Sequence, residues 1–238
     1  MNLLSLLTGE VKPRPVFFVG IGYFDTLVIA ENGAGLSSTL RPDKGKHRKV
    51  RDAGHLTEKN LKELASYVYS DNPLEISIGM AAINASITPP EDYKEINARD
   101  IIIQKGKGKK VGIIGHFPFV EDIKSTTKDL LIFEKAPRPG DIPDSKIPEL
   151  LPECDVVAIT GMSIMNGTFD FIIKHTKKDA YKIVLGPSTP LSPLLIEMGI
   201  DAVSGTIVEN PEITKDYVLQ GAPFRHLEGI KLITIFRK

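Results

Sequence analysis

The chain carries one cysteine, Cys154, in 238 residues, which excludes an internal disulfide and a zinc site built from cysteine pairs. No apolar run reaches the ~18 residues that a membrane-spanning helix needs. Charge of either sign is not in excess. Thirty Lys and Arg stand against thirty Asp and Glu, whereas a dedicated nucleic-acid-binding domain is usually basic. Residues 1–9, Met-Asn-Leu-Leu-Ser-Leu-Leu-Thr-Gly, have an apolar stretch but neither a cationic leader region nor a small-residue cleavage site. A signal peptide is therefore not expected, and the cytoplasm is the expected location. Glutamine occurs only twice, at Gln104 and Gln220, among many Lys, Glu and Ile, a composition met in thermophile proteins. No His-x-x-x-His, Cys-x-x-Cys or acidic cage is found, so no protein-built transition-metal site is expected. The Gly-x-Ser-x-Gly elbow of serine hydrolases is missing too.

What is present is an ordinary globular composition, 42% hydrophobic and 25% charged. Its two parts are patterned differently. Residues 1–9 read as a short helix closed by Gly9. Residues 16–30 are rich in strand formers, 31–34 carry a turn signal, and 35–40 return as a second strand, giving a hairpin. A helix is expected over 57–69 from Leu61, Leu64, Ala65 and Val68. Another begins at Asn72-Pro-Leu-Glu75, with Asn72 as N-cap and Glu75 at the capping-box position, and runs to about Ile87. Strands before helices is an α+β pattern.

A polar stretch, 91–109, leads into alternation. Strands are expected at 110–115, 129–135, 155–160, 181–186, 202–208 and 230–236, with helices near 119–127, 146–152, 168–177, 191–198 and 211–220. Strand–helix alternation with nearly continuous Val and Ile strands means a parallel sheet buried on both faces. The expected fold is α/β: a Rossmann-like parallel sheet domain over 91–238, preceded by a small α+β domain over 1–90.

Ligands of open α/β sheets bind beyond the carboxyl ends of the strands. That rule selects four loops: Gly115-His-Phe-Pro-Phe119, Glu134-Lys135, Thr160-Gly-Met-Ser-Ile-Met-Asn-Gly-Thr168 and Gly186-Pro-Ser-Thr-Pro190. The first departs from a dinucleotide fingerprint, because Pro118 offers no amide hydrogen and two phenylalanines crowd the turn. Glu134 lies nineteen residues after Gly115, where an acidic residue commonly binds ribose hydroxyls; pairing with Lys135 is the plainer alternative. Ser163, Asn166 and Thr168 offer small hydrogen-bonding groups, equally suited to capping the following helix. Two prolines stiffen the loop holding Ser188 and Thr189. His116 is the one imidazole expected on this rim, with a titration range suited to proton transfer; His55, His175 and His226 are scattered. The basic run 41–51 suits steering of an anionic substrate or a solvated surface. The run Lys105-Gly-Lys-Gly-Lys-Lys110 lacks a Walker ending.

Gly115-His-Phe-Pro-Phe-Val120, Thr160–Thr168 and Gly186-Pro-Ser-Thr-Pro-Leu-Ser-Pro-Leu194 resemble the heavy-metal chelation domain family. Gly20-Ile-Gly-Tyr-Phe24, Gly33-Ala-Gly-Leu-Ser37 and Gly79-Met-Ala-Ala-Ile-Asn84 are similar to the small domain that precedes it in that family, which has an enolase N-terminal-like fold. The resemblance implies a Rossmann-like domain, comparable to methyltransferases, and a site between the two domains. By carry-over, Gly115, His116 and Phe117 line the first loop, Gly161, Ser163, Asn166 and Thr168 the second, and Ser188 and Thr189 the third. Asn84 approaches from the small domain.

Three functions follow as expectations. The first is an enzyme that condenses or hydrolyses a pterin-, flavin- or siderophore-like metabolite, with His116 or Glu134 handling protons and Phe117, Phe119 and Met162 as apolar walls. The second is a non-catalytic binding protein for a metal chelate, in which the small molecule supplies the metal's ligands. The third is an S-adenosylmethionine-dependent methyltransferase. The cofactor stays open. The expected partner is a small-molecule ligand rather than nucleic acid or membrane, and a homodimer is expected only because homo-oligomers are common.

Overall fold

The structure is a computed structural model that describes residues 2–42 and 48–238. Residues 43–47 of the basic run lie outside the described residues. In chain order the elements are α1 (Leu3–Glu10), β1 (Val16–Ile21), β2 (Asp25–Ala30), β3 (Gly33–Ser38), α2 (Leu61–Ala65), α3 (Pro73–Ser86), α4 (Ala98–Gly106), β4 (Lys110–Ile114), α5 (Val120–Lys124), β5 (Asp129–Glu134), β6 (Ile142–Pro143), α6 (Ile147–Leu150), β7 (Val156–Thr160), α7 (Met162–Met165), α8 (Phe169–His175), β8 (Tyr181–Leu185), α9 (Pro193–Glu197), β9 (Ala202–Val208), α10 (Pro211–Leu219) and β10 (Ile230–Phe236).

The small unit is a three-stranded antiparallel sheet, β1-β2-β3. Helix α3 covers one of its faces. Ile78, Met80, Ala81, Ala82 and Ile83 are wholly buried, so the middle of this helix is apolar and enclosed on every side, as in an interior helix. The opposite face, through Leu27 and Leu36, packs on Val218 of α10 and on Leu227. Two sequence expectations are corrected here. The 16–30 run is two strands, not one, because the chain reverses at 22–24: the Gly22 N–H donates to the Asp25 carbonyl at 2.9 Å. Asn72 caps α3 through Leu74 N, but Glu75 makes no capping box; its carboxylate accepts from Arg51 N at 2.7 Å instead.

The second sheet has seven strands in the order β10-β9-β8-β7-β4-β5-β6. All neighbours are parallel except β10, which runs antiparallel to β9. Counted from β4, this is the Rossmann order with a reversed strand added at one edge. The reversal follows from Gly229, whose carbonyl accepts from Glu209 N and Asn210 N; β10 therefore begins beside the end of β9, Ile230 opposite Val208. Val156, Val157, Ala158 and Ile159 are all buried, as a strand covered on both faces requires. The stretch 91–109, expected to be merely polar, holds α4, capped by Asn97 and anchored by Ile101 and Ile102.

The two units share one core. A single apolar cluster runs from Leu3 and Leu7 through Ile78 and Ile83 to Ile164, Val184 and Ile235. Strand β9 pairs with β8 only through Ser204 and with β10 to its end. Its last residues thus project past the carboxyl rim of the sheet, and β3 packs there. Among the described residues, no helix is long and apolar enough to cross a membrane.

Candidate functional site

The order of strands places the topological switch between β4 and β7, the position where ligands of this sheet class bind. Three close approaches tie the rim together. Gly115 turns with φ +98°, and a Cβ on it would lie 3.2 Å from Thr160. A Cβ on Gly161 would lie 2.6 Å from Thr189 Oγ1 and 2.7 Å from Thr189 N. Finally, Ser188 Oγ accepts from Ser38 N, at the end of β3, at 2.8 Å. The first, second and third loops therefore adjoin in sequence, and the third carries the small unit. Ser188 is 1% exposed, so Ser188→Ala leaves the Ser38 N–H facing a methyl group. A loss of about 1–2 kcal/mol is expected, read as a lower denaturant midpoint; an unchanged midpoint would show that the bond does not fasten the units.

The serines expected at the site hold the loops in place. Ser163 is buried and its hydroxyl donates to the Thr160 carbonyl at 2.7 Å. Asn166 and Thr168 bond to each other: Asn166 Oδ1 accepts from Thr168 N at 3.2 Å and from Thr168 Oγ1 at 2.6 Å, at the start of α8. Phe117 stacks on Phe119 with ring centroids 5.4 Å apart, and both pack against the α4 face of the sheet. His116 Nε2 lies 3.6 Å from Asp141 Oδ1, a carboxylate held by Arg138 N at 2.9 Å. Asp141 escaped sequence reasoning; its one signal was the Gly140-Asp141 turn ahead of β6. Glu134 closes β5 opposite Pro143, half-buried.

Asn84 and Thr189 meet elsewhere, at the seam between the units. A cavity of about 190 Å³ opens there between the β2–β3 turn, the end of α3, the third loop and the overhanging end of β9. Asn84 Nδ2 donates to the Leu36 carbonyl at 2.7 Å, which fixes the amide. Its Oδ1 is buried without a partner, and so are Thr189 Oγ1 and Thr206 Oγ1. All three residues line this cavity. Buried polar atoms are nearly always bonded, so a space bordered by three residues that each hold an unbonded one stands out, although Thr189 Oγ1 itself lies toward Gly161. Thr206 was not foreseen, because a threonine within Ala-Val-Ser-Gly-Thr-Ile-Val reads as a strand former.

The donor set here does not suit a metal held by the protein. An amide and two hydroxyls are hard, neutral ligands, whereas soft metals select thiolate and imidazole. Cys154 is buried against Gly112, and burial pushes its thiol up to about 11, so it stays protonated. Among the described residues, no group of three or more His, Cys, Asp or Glu is placed to hold a metal ion.

Comparison with known proteins gives consistent relationships. Residues 97–236 match one family model and residues 5–87 a second, both described as "Putative heavy-metal chelation". A protein of Methanocaldococcus jannaschii described as uncharacterized is 30% identical over 218 residues, covering 87% of this chain and 82% of that protein. A crystal structure from Desulfitobacterium hafniense, of a protein of unknown function in the family matched by 97–236, superposes with a TM-score of 0.87 at 28% identity, covering 98% of this chain and 97% of that one. A second, from Pyrococcus horikoshii, shares the fold, with a TM-score of 0.82 at 22% identity and the same coverage.

Proposed function

The chain belongs to this heavy-metal chelation family, and from that premise we propose that it binds a small organic molecule in the seam between its units, 1–90 and 91–238. The observation that carries the reading is the cavity between the units, lined by Asn84, Thr189 and Thr206, residues that each carry a buried polar atom without a partner. Heavy metal enters this function as the cargo of the organic molecule, whose own atoms ligate it, because the seam offers neither thiolate nor imidazole. The ligand type proposed is a pterin-, flavin- or siderophore-like metabolite, and the chemistry its condensation or hydrolysis. In that reaction the open side of the rim supplies the proton-handling groups. His116 faces Asp141 there, a carboxylate that would hold the imidazole's orientation. Glu134 closes the neighbouring strand.

The test is a thermal melt of the purified protein with zinc ion alone, neopterin, riboflavin, a ferric catecholate chelate and S-adenosylmethionine. A ligand at 100 times its dissociation constant adds about 2.7 kcal/mol, or roughly 5–10 °C for a chain of this size. One of the organic ligands or the chelate is expected to raise the melt while zinc alone leaves it unchanged. A shift from zinc alone would place the metal on protein atoms and overturn the reading. A shift from S-adenosylmethionine alone would replace it with a methyltransferase.

A further inference from the structure

A groove of about 730 Å³ lies on the α4 face of the large sheet, at the end opposite the rim loops. Tyr181 opens β8 there, Asp201 stands just ahead of β9, and Phe236 closes β10, which runs the other way. Helix α4 supplies Ile101, Gln104 and Lys105 to the groove, and the segment ahead of α4 supplies Lys94 and Ile96. Ile101, Tyr181 and Phe236 belong to one apolar cluster, so rings and branched side chains form the floor. The volume falls within the roughly 300–1,000 Å³ of small-molecule sites.

Four of the charged groups here are engaged. Asp201 Oδ2 accepts from Lys182 N at 2.8 Å, and Asp201 Oδ1 pairs with Arg237. Asp100 pairs with Arg99 at 3.4 Å and Lys238 with Asp92 at 2.9 Å. Two lysines are left over. Among the described residues, neither Lys94 Nζ nor Lys105 Nζ has a carboxylate or another hydrogen-bond acceptor in reach; each sits over an aromatic face instead. Lys105 Nζ is 4.9 Å from the centre of the Tyr181 ring, and Lys94 Nζ is 5.8 Å from that of Phe236. Such contacts are weak for exposed lysines, so both ammonium groups are held at the groove and stay available to a stronger partner. The main chain of Lys94 is fixed in both directions to Thr234, at 2.9 and 2.8 Å. Lys105 lies in the last turn of α4 and opens the basic run 105–110, which has no part at the rim or the seam. Burial pushes the Tyr181 hydroxyl up to about 12, so its ring stays neutral beside an anion.

We propose that this groove is a second small-molecule site, for a flat aromatic ring that carries a phosphate, the chemistry of a nucleoside monophosphate. The ring lies against Ile101 and Phe236. The phosphate takes the ammonium groups of Lys94 and Lys105, and the Gln104 amide offers a donor and an acceptor to the polar edge of the ring. Phosphate suits the groove better than carboxylate, because a phosphate monoester carries about −1.5 to −2 charge at pH 7 against two unpaired cations. The site stands apart from the seam and does not depend on what binds there.

Adenosine 5′-monophosphate, adenosine and inorganic phosphate serve as probes, titrated calorimetrically into the full-length protein. The nucleotide is expected to bind at least about tenfold more tightly than either fragment, and more weakly as salt screens the exposed charges. Lys94→Gln and Lys105→Gln remove the charges and keep the stems. Each is expected to leave the melting temperature unchanged, because neither ammonium has an ion-pair partner to lose, and to weaken the nucleotide about three- to tenfold. A crystal soaked with the nucleotide should show its ring against Ile101 and Phe236. Inorganic phosphate binding as tightly as the nucleotide would remove the ring from the proposal, and adenosine binding as tightly would remove the anion; either overturns it. So would a groove that takes up none of the three probes, nucleotide density at the rim or seam alone, or undiminished nucleotide affinity in both lysine variants.

Discussion

Gly35→Ala is expected to lower the stability of this protein by about 3 kcal/mol or more, a fall of roughly 6–12 °C in melting temperature. Gly35 faces α3 from the middle of β3. A Cβ there would lie 2.2 Å from Ala85 N, 2.3 Å from Ala81 O and 2.6 Å from the Asn84 carbonyl carbon. These are main-chain atoms of a helix whose middle is buried, so no rotamer change relieves the overlap and helix and sheet must separate. The same displacement pulls Asn84 away from the Leu36 carbonyl and opens the seam. Gly9 is the control: it lies in α1 with nothing within 4 Å of its would-be Cβ, so Gly9→Ala should be neutral or gain up to about 1 kcal/mol. Calorimetry of the two variants checks the pair. A Gly35→Ala protein that melts with the parent would contradict the close approach of β3 to α3.

Stability should fall as pH rises from about 4 to about 7, and Asp25 should be the cause. Its side chain begins β2 at 3% exposure, with Oδ2 unpartnered. Among the described residues, no cation lies within ion-pairing distance of it. Burial raises its pKa from 3.8 to about 7. The folded state thus holds a proton that the unfolded chain has released over this range. The stability is fully present below about 4, is lost as pH climbs to about 7, and stays at the lower level above that. The difference amounts to about 4 kcal/mol, at ~1.4 kcal/mol for each pH unit between the two values. Asp25→Asn cannot ionise, so its stability should exceed the parent's at pH 8 and approach it at pH 4. Urea midpoints of both proteins across pH 4–8 isolate this group from the other carboxylates. A parent-minus-variant difference that stays flat, or grows in the parent's favour with pH, would contradict it.

Much of the architecture can be read in the residues. Val156–Ile159 is an unbroken apolar run, and an unbroken run of that length is a strand buried on both faces. Gly115, Gly161 and Gly186 each follow such a strand, which is why the rim loops were recognisable. What resisted reading depends on partners remote in the chain. The break at Gly22 is imposed where a Cβ would lie 2.3 Å from the Val218 carbonyl oxygen, and nothing near Gly22 signals that approach. Helix α4 is concealed because Ile101-Ile102-Ile103 stands among lysines that dilute its apolar face. The direction of β10 is absent from its own pattern, since a buried strand has the same composition in either sense. Within the candidate site, Asn84 and Thr189 were legible from their motifs. Thr206 was not, because it comes to border the same space as the third loop and the β2–β3 turn only in the folded chain. Asp141 likewise acquires its place only when the loop before β6 folds back to His116.

The position of a bound organic ligand tests the seam most directly. The measurement is a crystal structure of the full chain soaked with whichever organic compound raises its melting temperature most. The expected result is ligand density in the space beside the end of α3, in contact with Asn84, Thr189 and Thr206. Density confined to the open rim over His116 and Phe117, with water alone between Asn84 and Thr206, would contradict it.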